Sequence, residues 1–499
     1  MKNKKKGRNV GMNFINKINS FLSVIILPAL LSQGVASAEI ASGNTEVAAA
    51  SEISLSEWRE LALKGDVDAY FNLGVIYSQG LGVEKDYGAA FYWHRRAALK
   101  GEVESQYALG VMYGEGLGTY KDIDESLAWY RLAAENGSRE AQFSLGIIYA
   151  NGEGVERDPA EAVKWYLLAA DQGHVSAQYN LGISYDVGEG VPKNHSEAVK
   201  WYRLAANQGD ALAQYNLALS YDYGQGVEKD EEEAFSWYQL SAGQGYANAQ
   251  NNLGALYYDG LGVPKNAEKA ANWFLLAAKQ GHPEAQYNLA ECYFTGKGIA
   301  QDRAEASKWY RKAAQSGDAN AQYALGFIYD EGEGVDKNYA EALKWYLLAG
   351  HQGHPGAQYN LGVNYDLGKG VKRDAEKAVS WYQLAADQGH FDAQYNLAVS
   401  LEHGEGIKRD ITQAMVWYKR AAEGGVMEAQ YALGLNYATG KGVDKSNVIA
   451  YAWLTLSAEA GYEDANEGKK IILGRLSGEE LDEARVLAEE LSHKIDLDQ

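Results

Sequence analysis

Cysteine is almost missing from this 499-residue chain, with Cys292 the only one. An intrachain disulfide is therefore excluded, and with it a small fold stapled by disulfides. Proline is scarce too, at six residues. Long apolar runs are lacking: the stretch from Phe21 to Leu31 is too short to span a bilayer, and no other run is long enough. Positive charge is in short supply, 46 Lys and Arg against 67 Asp and Glu, for a net charge of -21. That balance repels nucleic acid and anionic membranes. Catalytic signatures are absent as well, with no S-x-x-K, G-x-S-x-G or H-E-x-x-H, no phosphate-binding loop and no dinucleotide fingerprint. No catalytic residue, cofactor or metal ligand is assigned.

What remains is informative. The first 38 residues carry Lys2, Lys4, Lys5, Lys6, Arg8 and Lys17 and no acid. The apolar run follows, then Ala36-Ser37-Ala38 ahead of Glu39. This order is that of an export signal with its cleavage site, so the mature protein is expected to be periplasmic or secreted, without a membrane span. Removing 1–38 leaves 40 basic against 67 acidic residues, a net charge of -27. The natural partner of such a surface is a protein or peptide that is neutral or basic.

The 55 glycines keep a clock. The leucine of the phrase A-Q-Y-N-L-G recurs at Leu73, Leu109, Leu145, Leu181 and so on to Leu433, always 36 residues apart. Eleven of the twelve tryptophans, Trp93 to Trp453, hold the same period. Self-similarity at such a period marks a stacked repeat architecture, in which no single unit can bury its apolar face alone.

In the repeat around Leu181, Ala177, Leu181 and Tyr185 share one helical face and define helix A. Gly188 and Gly190 end it. Ala198, Trp201, Tyr202, Ala205 and Ala206 form the core stripe of helix B, and Gly209 closes the hairpin. Asn194 and its ten equivalents, Asp86, Asp122, Asp158, Asp230, Asn266, Asp302, Asn338, Asp374, Asp410 and Ser446, are all good N-caps. Seven repeats place Glu or Gln three residues later, the spacing of a capping box. Gly182, inside helix A, costs roughly 1 kcal/mol of helix propensity; close approach of helix B at Ala205 and Ala206 is the expected compensation. The chain thus divides into the signal (1–38), an N-terminal segment with a lone helix B (39–66), eleven repeats (67–462) and two closing helices (463–499), the last opened by Ser477 with Glu480.

The phrases A-Q-Y-N-L-G-x-x-Y, G-x-G-V-x-x-D and A-x-x-W-Y-x-x-A-A-x-Q-G resemble the Sel-like repeat, a branch of the tetratricopeptide superfamily, over about four-fifths of the chain. The phrase at 450–465, A-Y-A-W-L-T-L-S-A-E-A-G-Y-E-D-A, resembles how exported bacterial members end. The resemblance implies an all-α fold, a right-handed α/α superhelical solenoid of eleven 36-residue helix hairpins, with helix A lining the concave side. It implies work as an adaptor or scaffold. The single cysteine departs from the branch that clips each repeat with a disulfide, so that branch's properties are not carried over.

Helix A carries two further ladders, in positions that face the groove in the tetratricopeptide pattern. One is aromatic and includes Tyr179, Tyr215, Tyr359 and Tyr395. The other is amide and includes Asn180, Asn216, Asn288, Asn360 and Asn396. An amide can pair with an extended backbone as donor and acceptor, and tyrosine gives contact area at low entropic cost. Equally, the tyrosines could pack between hairpins and the asparagines could tie helix ends. Asp186, Asp222 and Asp366 add a carboxylate ladder, suited to a basic or amide-rich peptide or simply to a solvated helix end. His174, His282, His354 and His390 share one register, spread along the array with no convergence on a site. The expected function is a non-enzymatic protein-binding scaffold of the cell envelope or secreted space. The alternatives are a glycan-acting or glycan-binding envelope protein, or a passive spacer.

Overall fold

The computed structural model describes residues 53–497. The export signal expected at 1–38 lies outside the described residues, as do residues 39–52. Every regular element among the described residues is a helix, from Leu55–Leu63 to Gly478–Leu497. The protein is an all-α solenoid of helix hairpins. In the fourth repeat helix A is Val175–Val187 and helix B is His195–Asn207. The chain forms two compact units, one of residues 53–213 with 225–228, the other of residues 214–224 with 229–497. Within each, helix A packs on its own helix B, and helix B on helix A of the next hairpin.

The helix boundaries follow the local chemistry. All eleven helix B N-caps accept a backbone N–H with the side chain, as Asn194 does from Glu197 at 3.3 Å. The seven predicted capping boxes differ from expectation. The N-cap N–H is already taken by a helix A carbonyl: Asn194 donates to Tyr185 O at 2.7 Å and Asp158 to Tyr149 O at 2.8 Å. The N3 glutamates turn outward instead, Glu161 to Lys164 at 2.7 Å and Glu341 to Lys344 at 2.9 Å. Both reciprocal bonds form at the ends of the array, at Ser54–Glu57 and Ser477–Glu480.

Helix A ends at Gly188, in the left-handed region at φ +83°. Gly190 is constrained twice. Its φ is +76°, and a Cβ there would lie 2.2 Å from the Pro159 carbonyl oxygen of the preceding hairpin. Any side chain would push neighbouring hairpins apart.

The core differs in one respect from the stripe read off the sequence. Ala198, Val199, Tyr202, Ala205 and Ala206 are buried, while Trp201 is half-buried. The tyrosine is the central knob. A Cβ on Gly182 would fall 2.3 Å from the Tyr202 ring, so the mid-helix glycine makes room for that ring; Ala205 and Ala206, the expected neighbours, are not its nearest contacts. The same pairing recurs at Gly146–Tyr166, Gly326–Tyr346 and Gly362–Tyr382.

The hairpins are locked together by a buried amide that the sequence reading passed over. The Gln of A-Q-Y donates to the end of the preceding helix B: Gln142 to Ala134 O, Gln178 to Ala170 O and Gln358 to Gly350 O, at 3.0 to 3.1 Å. Its own oxygen accepts from the Gln that closes its hairpin, in Gln172–Gln142, Gln208–Gln178, Gln244–Gln214, Gln280–Gln250, Gln352–Gln322 and Gln388–Gln358, at 2.7 to 2.8 Å. Five repeats lack the closing glutamine: Lys100 ends the first, whose helix A has Tyr70 at the Gln position, Asn136 replaces it in the second and still donates to Gln106 at 2.9 Å, and Ser316, Gly424 and Ala460 stand in its place in the other three. In those three, and for the same reason, the buried oxygens of Gln286, Gln394 and Gln430 have no partner.

Two outcomes are expected. Tyr202→Ala should cost about 3–5 kcal/mol, as large aromatic truncations do, and Trp201→Ala clearly less; unfolding curves of the two variants check the order. Ala460→Gln should supply the missing donor to Gln430 and stabilise the last hairpin by about 0.5–1.5 kcal/mol. A cleft of about 180 Å³ bordered by Gln430 and Ala460 gives it room. Slower hydrogen exchange in residues 427–460 is the readout, and unchanged exchange would count against the clamp.

Candidate functional site

Of the twelve residues proposed to meet a partner, Tyr179 and Asn288 are buried. The other ten, Asn180, Tyr215, Asn216, Tyr359, Asn360, Tyr395, Asn396, Asp186, Asp222 and Asp366, are half-buried. Each ladder is held from behind. The tyrosines of helix A lean on the knob tyrosines of helix B, with ring centroids 6.1 Å apart in Tyr179–Tyr202, 5.8 Å in Tyr215–Tyr238, 6.3 Å in Tyr359–Tyr382 and 5.9 Å in Tyr395–Tyr418.

The asparagines reach back to the knob hydroxyls of the preceding repeat. Asn252 donates to Tyr238 Oη at 3.1 Å. Asn180 lies close enough to the Tyr166 hydroxyl, and Asn396 to that of Tyr382, to oppose the upward push of burial on each. Asn288 instead donates to Asn251 at 3.0 Å, where the aromatic ladder is broken. The carboxylates have partners on or near helix B. Asp186 Oδ1 lies 2.6 Å from His195 Nδ1, Asp222 accepts from Tyr238 Oη at 3.3 Å, and Asp366 lies 3.6 Å from Arg373. Asp366 and Asn396 are brought together, lining one small cleft with Tyr382 and Glu405. One side of each ladder residue is thus committed to packing, and the half that remains open defines the candidate face.

A second acidic row, missed in the sequence, lies one turn ahead of the tyrosines. Asp392 and Glu428 are half-buried in the first turns of their helices. Burial first, and then Asp392, raise the Tyr359 hydroxyl to about 12, so it stays a neutral donor. The signal was available as Asp or Glu three residues before the aromatic position.

The histidines are structural. His174, His282, His354 and His390 are N-caps of helix A, each accepting from a backbone N–H through Nδ1 at 3.2 to 3.3 Å. Three of them also stack on the aromatic ladder, with centroids 4.4 Å apart in Phe143–His174 and Tyr323–His354 and 4.6 Å in Tyr359–His390. Among the described residues no cluster of His, Cys, Asp and Glu could hold a metal ion, and no helix is long and apolar enough to cross a membrane. Cys292 is buried, and burial pushes its thiol up to about 12, which leaves it unreactive.

An Nδ1 that accepts must be unprotonated. Burial lowers all four imidazoles, His354 to about 4 from its ordinary 6.5. A group whose folded value is depressed stabilises the fold above its unfolded value and loses that contribution as pH falls. Stability should therefore drop between about pH 6.5 and pH 4. His354→Asp, the residue found at this register in Asp210 and Asp318, should flatten part of that drop in melts run across the window.

The Sel1 repeat model matches ten consecutive 36-residue segments from 67 to 426, and an eleventh at 428–462. A protective antigen present in uropathogenic Escherichia coli strains, described as displaying an SLR fold, is 36% identical. It covers 89% of this chain and 95% of its own, with a TM-score of 0.84. A Sel1 repeat protein from Oxalobacter formigenes is also 36% identical, over 61% of this chain and 89% of its own, with a TM-score of 0.49. A putative Sel1 repeat protein from Klebsiella pneumoniae is 23% identical over 40% of this chain and 98% of its own, with a TM-score of 0.28. No curated protein matches the sequence.

Proposed function

This chain belongs to the Sel1 repeat family, and from that membership we propose that it is a non-catalytic adaptor holding a protein or peptide partner on the face lined by helix A. Repeat proteins of this kind generally mediate protein–protein interactions. The observation that carries the reading is the recurring half-open row of tyrosine and asparagine on helix A, with Asp392 and Glu428 one turn ahead. Tyrosine edges offer apolar area with a polar tip. The carboxylates and the acid excess favour a neutral or basic partner over nucleic acid. Export to the periplasm or beyond is part of the proposal, supported by the basic, apolar and small-residue order of residues 1–38.

The test is site-specific photo-crosslinking in the native envelope and secreted fractions. A benzophenone side chain replaces Tyr359 or Tyr395, and the exposed loop residue Tyr120 serves as control. One partner protein captured from both helix A positions and not from Tyr120 is expected. Capture from Tyr120 alone would move the site off this face. No protein captured anywhere, with glycan bound or cleaved by the wild type, would favour the glycan reading.

A further inference from the structure

Helix B carries a row of its own on the side away from its core stripe. Three residues after each ladder tryptophan, the second compact unit places Leu240, Leu276, Lys312, Leu348, Leu384, Arg420 and Leu456. Leu240, Leu276, Leu348 and Leu384 are 45–52% exposed, and Trp237, Trp273, Trp345 and Trp381 beneath them are half-buried. Single exposed leucines need no explanation. A register that repeats the same open Trp–Leu pair does.

The chain itself shows two ways of closing such a pair. Lys312 lays its ammonium over Trp309 at 3.8 Å, and Arg420 its guanidinium over Trp417 at 4.6 Å. Both tryptophans are 8% exposed, Trp417 with help from the closing helix. In the last hairpin an amphipathic helix does the work. Gly478–Leu497 packs on helix B Asn447–Glu459 and reaches helix B Ile411–Glu423. Its Ile495 joins Trp453, Leu456 and Trp417 in one cluster, with Leu491 alongside. Leu456 is then 6% exposed and Trp453 4%. At the edge, Lys494 pairs with Glu423 at 3.0 Å.

We propose that the pairs Trp345–Leu348 and Trp381–Leu384 form a second docking surface, for an amphipathic helix of a partner protein. Its stripe would be leucine, isoleucine or alanine, as in Leu481, Ala484, Ala488, Leu491 and Ile495 of the closing helix. Its edge would carry lysine. The register supplies the counter-charge: exposed Asp387 is the equivalent, 36 residues earlier, of the Glu423 that Lys494 meets. Lys312 and Arg420 bound the patch on either side. This surface belongs to helix B and stands or falls independently of the helix A face.

The probe is a labelled peptide of residues 478–497 carrying E479K, E483K and E490K, three exposed positions, titrated against the full chain by fluorescence anisotropy. Saturable binding is expected, weakened at least tenfold by Leu348→Glu with Leu384→Glu. Those substitutions add negative charge, so association driven by charge alone would tighten while apolar docking weakens. Lys312→Leu joins two leucine pairs into one row and should tighten binding. The fold tolerates charge at this register, as Lys312 and Arg420 show, and circular dichroism confirms that the variants are folded. An unchanged or tighter Kd in the glutamate variant, or no binding to the wild type, overturns the proposal.

Discussion

The buried glutamine of each A-Q-Y phrase is the interaction on which the rest of the array depends. Its amide is buried, and an unpaired amide there costs on the order of 1–3 kcal/mol. Where an amide closes the hairpin both ends of it find partners, and these lie in two different helices; Gln286, Gln394 and Gln430 satisfy the N–H₂ alone. The N–H₂ reaches the last carbonyls of the preceding helix B, and the oxygen takes a donor from the end of its own helix B. One side chain thus ties three helices at a fixed spacing. Inserting a residue in either helix would break two bonds at once, which is a physical reason for eleven repeats of 36 residues without a gap.

Around that clamp the packing is set by shape. The helix B knob, tyrosine in eight repeats and His94, Phe274 or Leu454 in the others, needs a residue without a large side chain opposite it, and eight repeats supply glycine while Ala218, Ala290 and Ala398 serve in the rest. The loop glycine lets one hairpin's backbone rest on the next. No hairpin has a core of its own; each borrows half from a neighbour, so stability accumulates along the array. The closing helix solves the problem at the end, covering the last helix B with Ala484, Ala488 and Ile495.

The candidate binding residues are drawn from this same scaffold. Tyr359 stacks on His390, which caps the next helix A, so the side chain that would meet a partner is held by the element that orients it. Asn396 lies beside Tyr382 in the same small cleft. The ladder is consequently preordered, and a partner would meet tyrosine edges and amides whose freedom has already been lost on folding. Identical rungs give reach along an extended chain. A departure such as Glu291, where other repeats have a carbon side chain, changes the chemistry of one stretch of helix A.

The period, the helix identities, every helix B N-cap and the acidic bias were legible in the sequence, because they follow from spacing and local hydrogen bonding within a few residues. So was the family. What only the tertiary structure decided is which groups on different helices meet. Tyr202, not Trp201, fills the core, since the glycine opposite it is visible only once helix A and helix B are packed. The capping boxes are displaced because a helix A carbonyl has taken the N–H first. The glutamines clamp three helices together for a reason that no single hairpin contains: a buried polar group is satisfied by whatever the fold brings within reach, and the fold is made by neighbours.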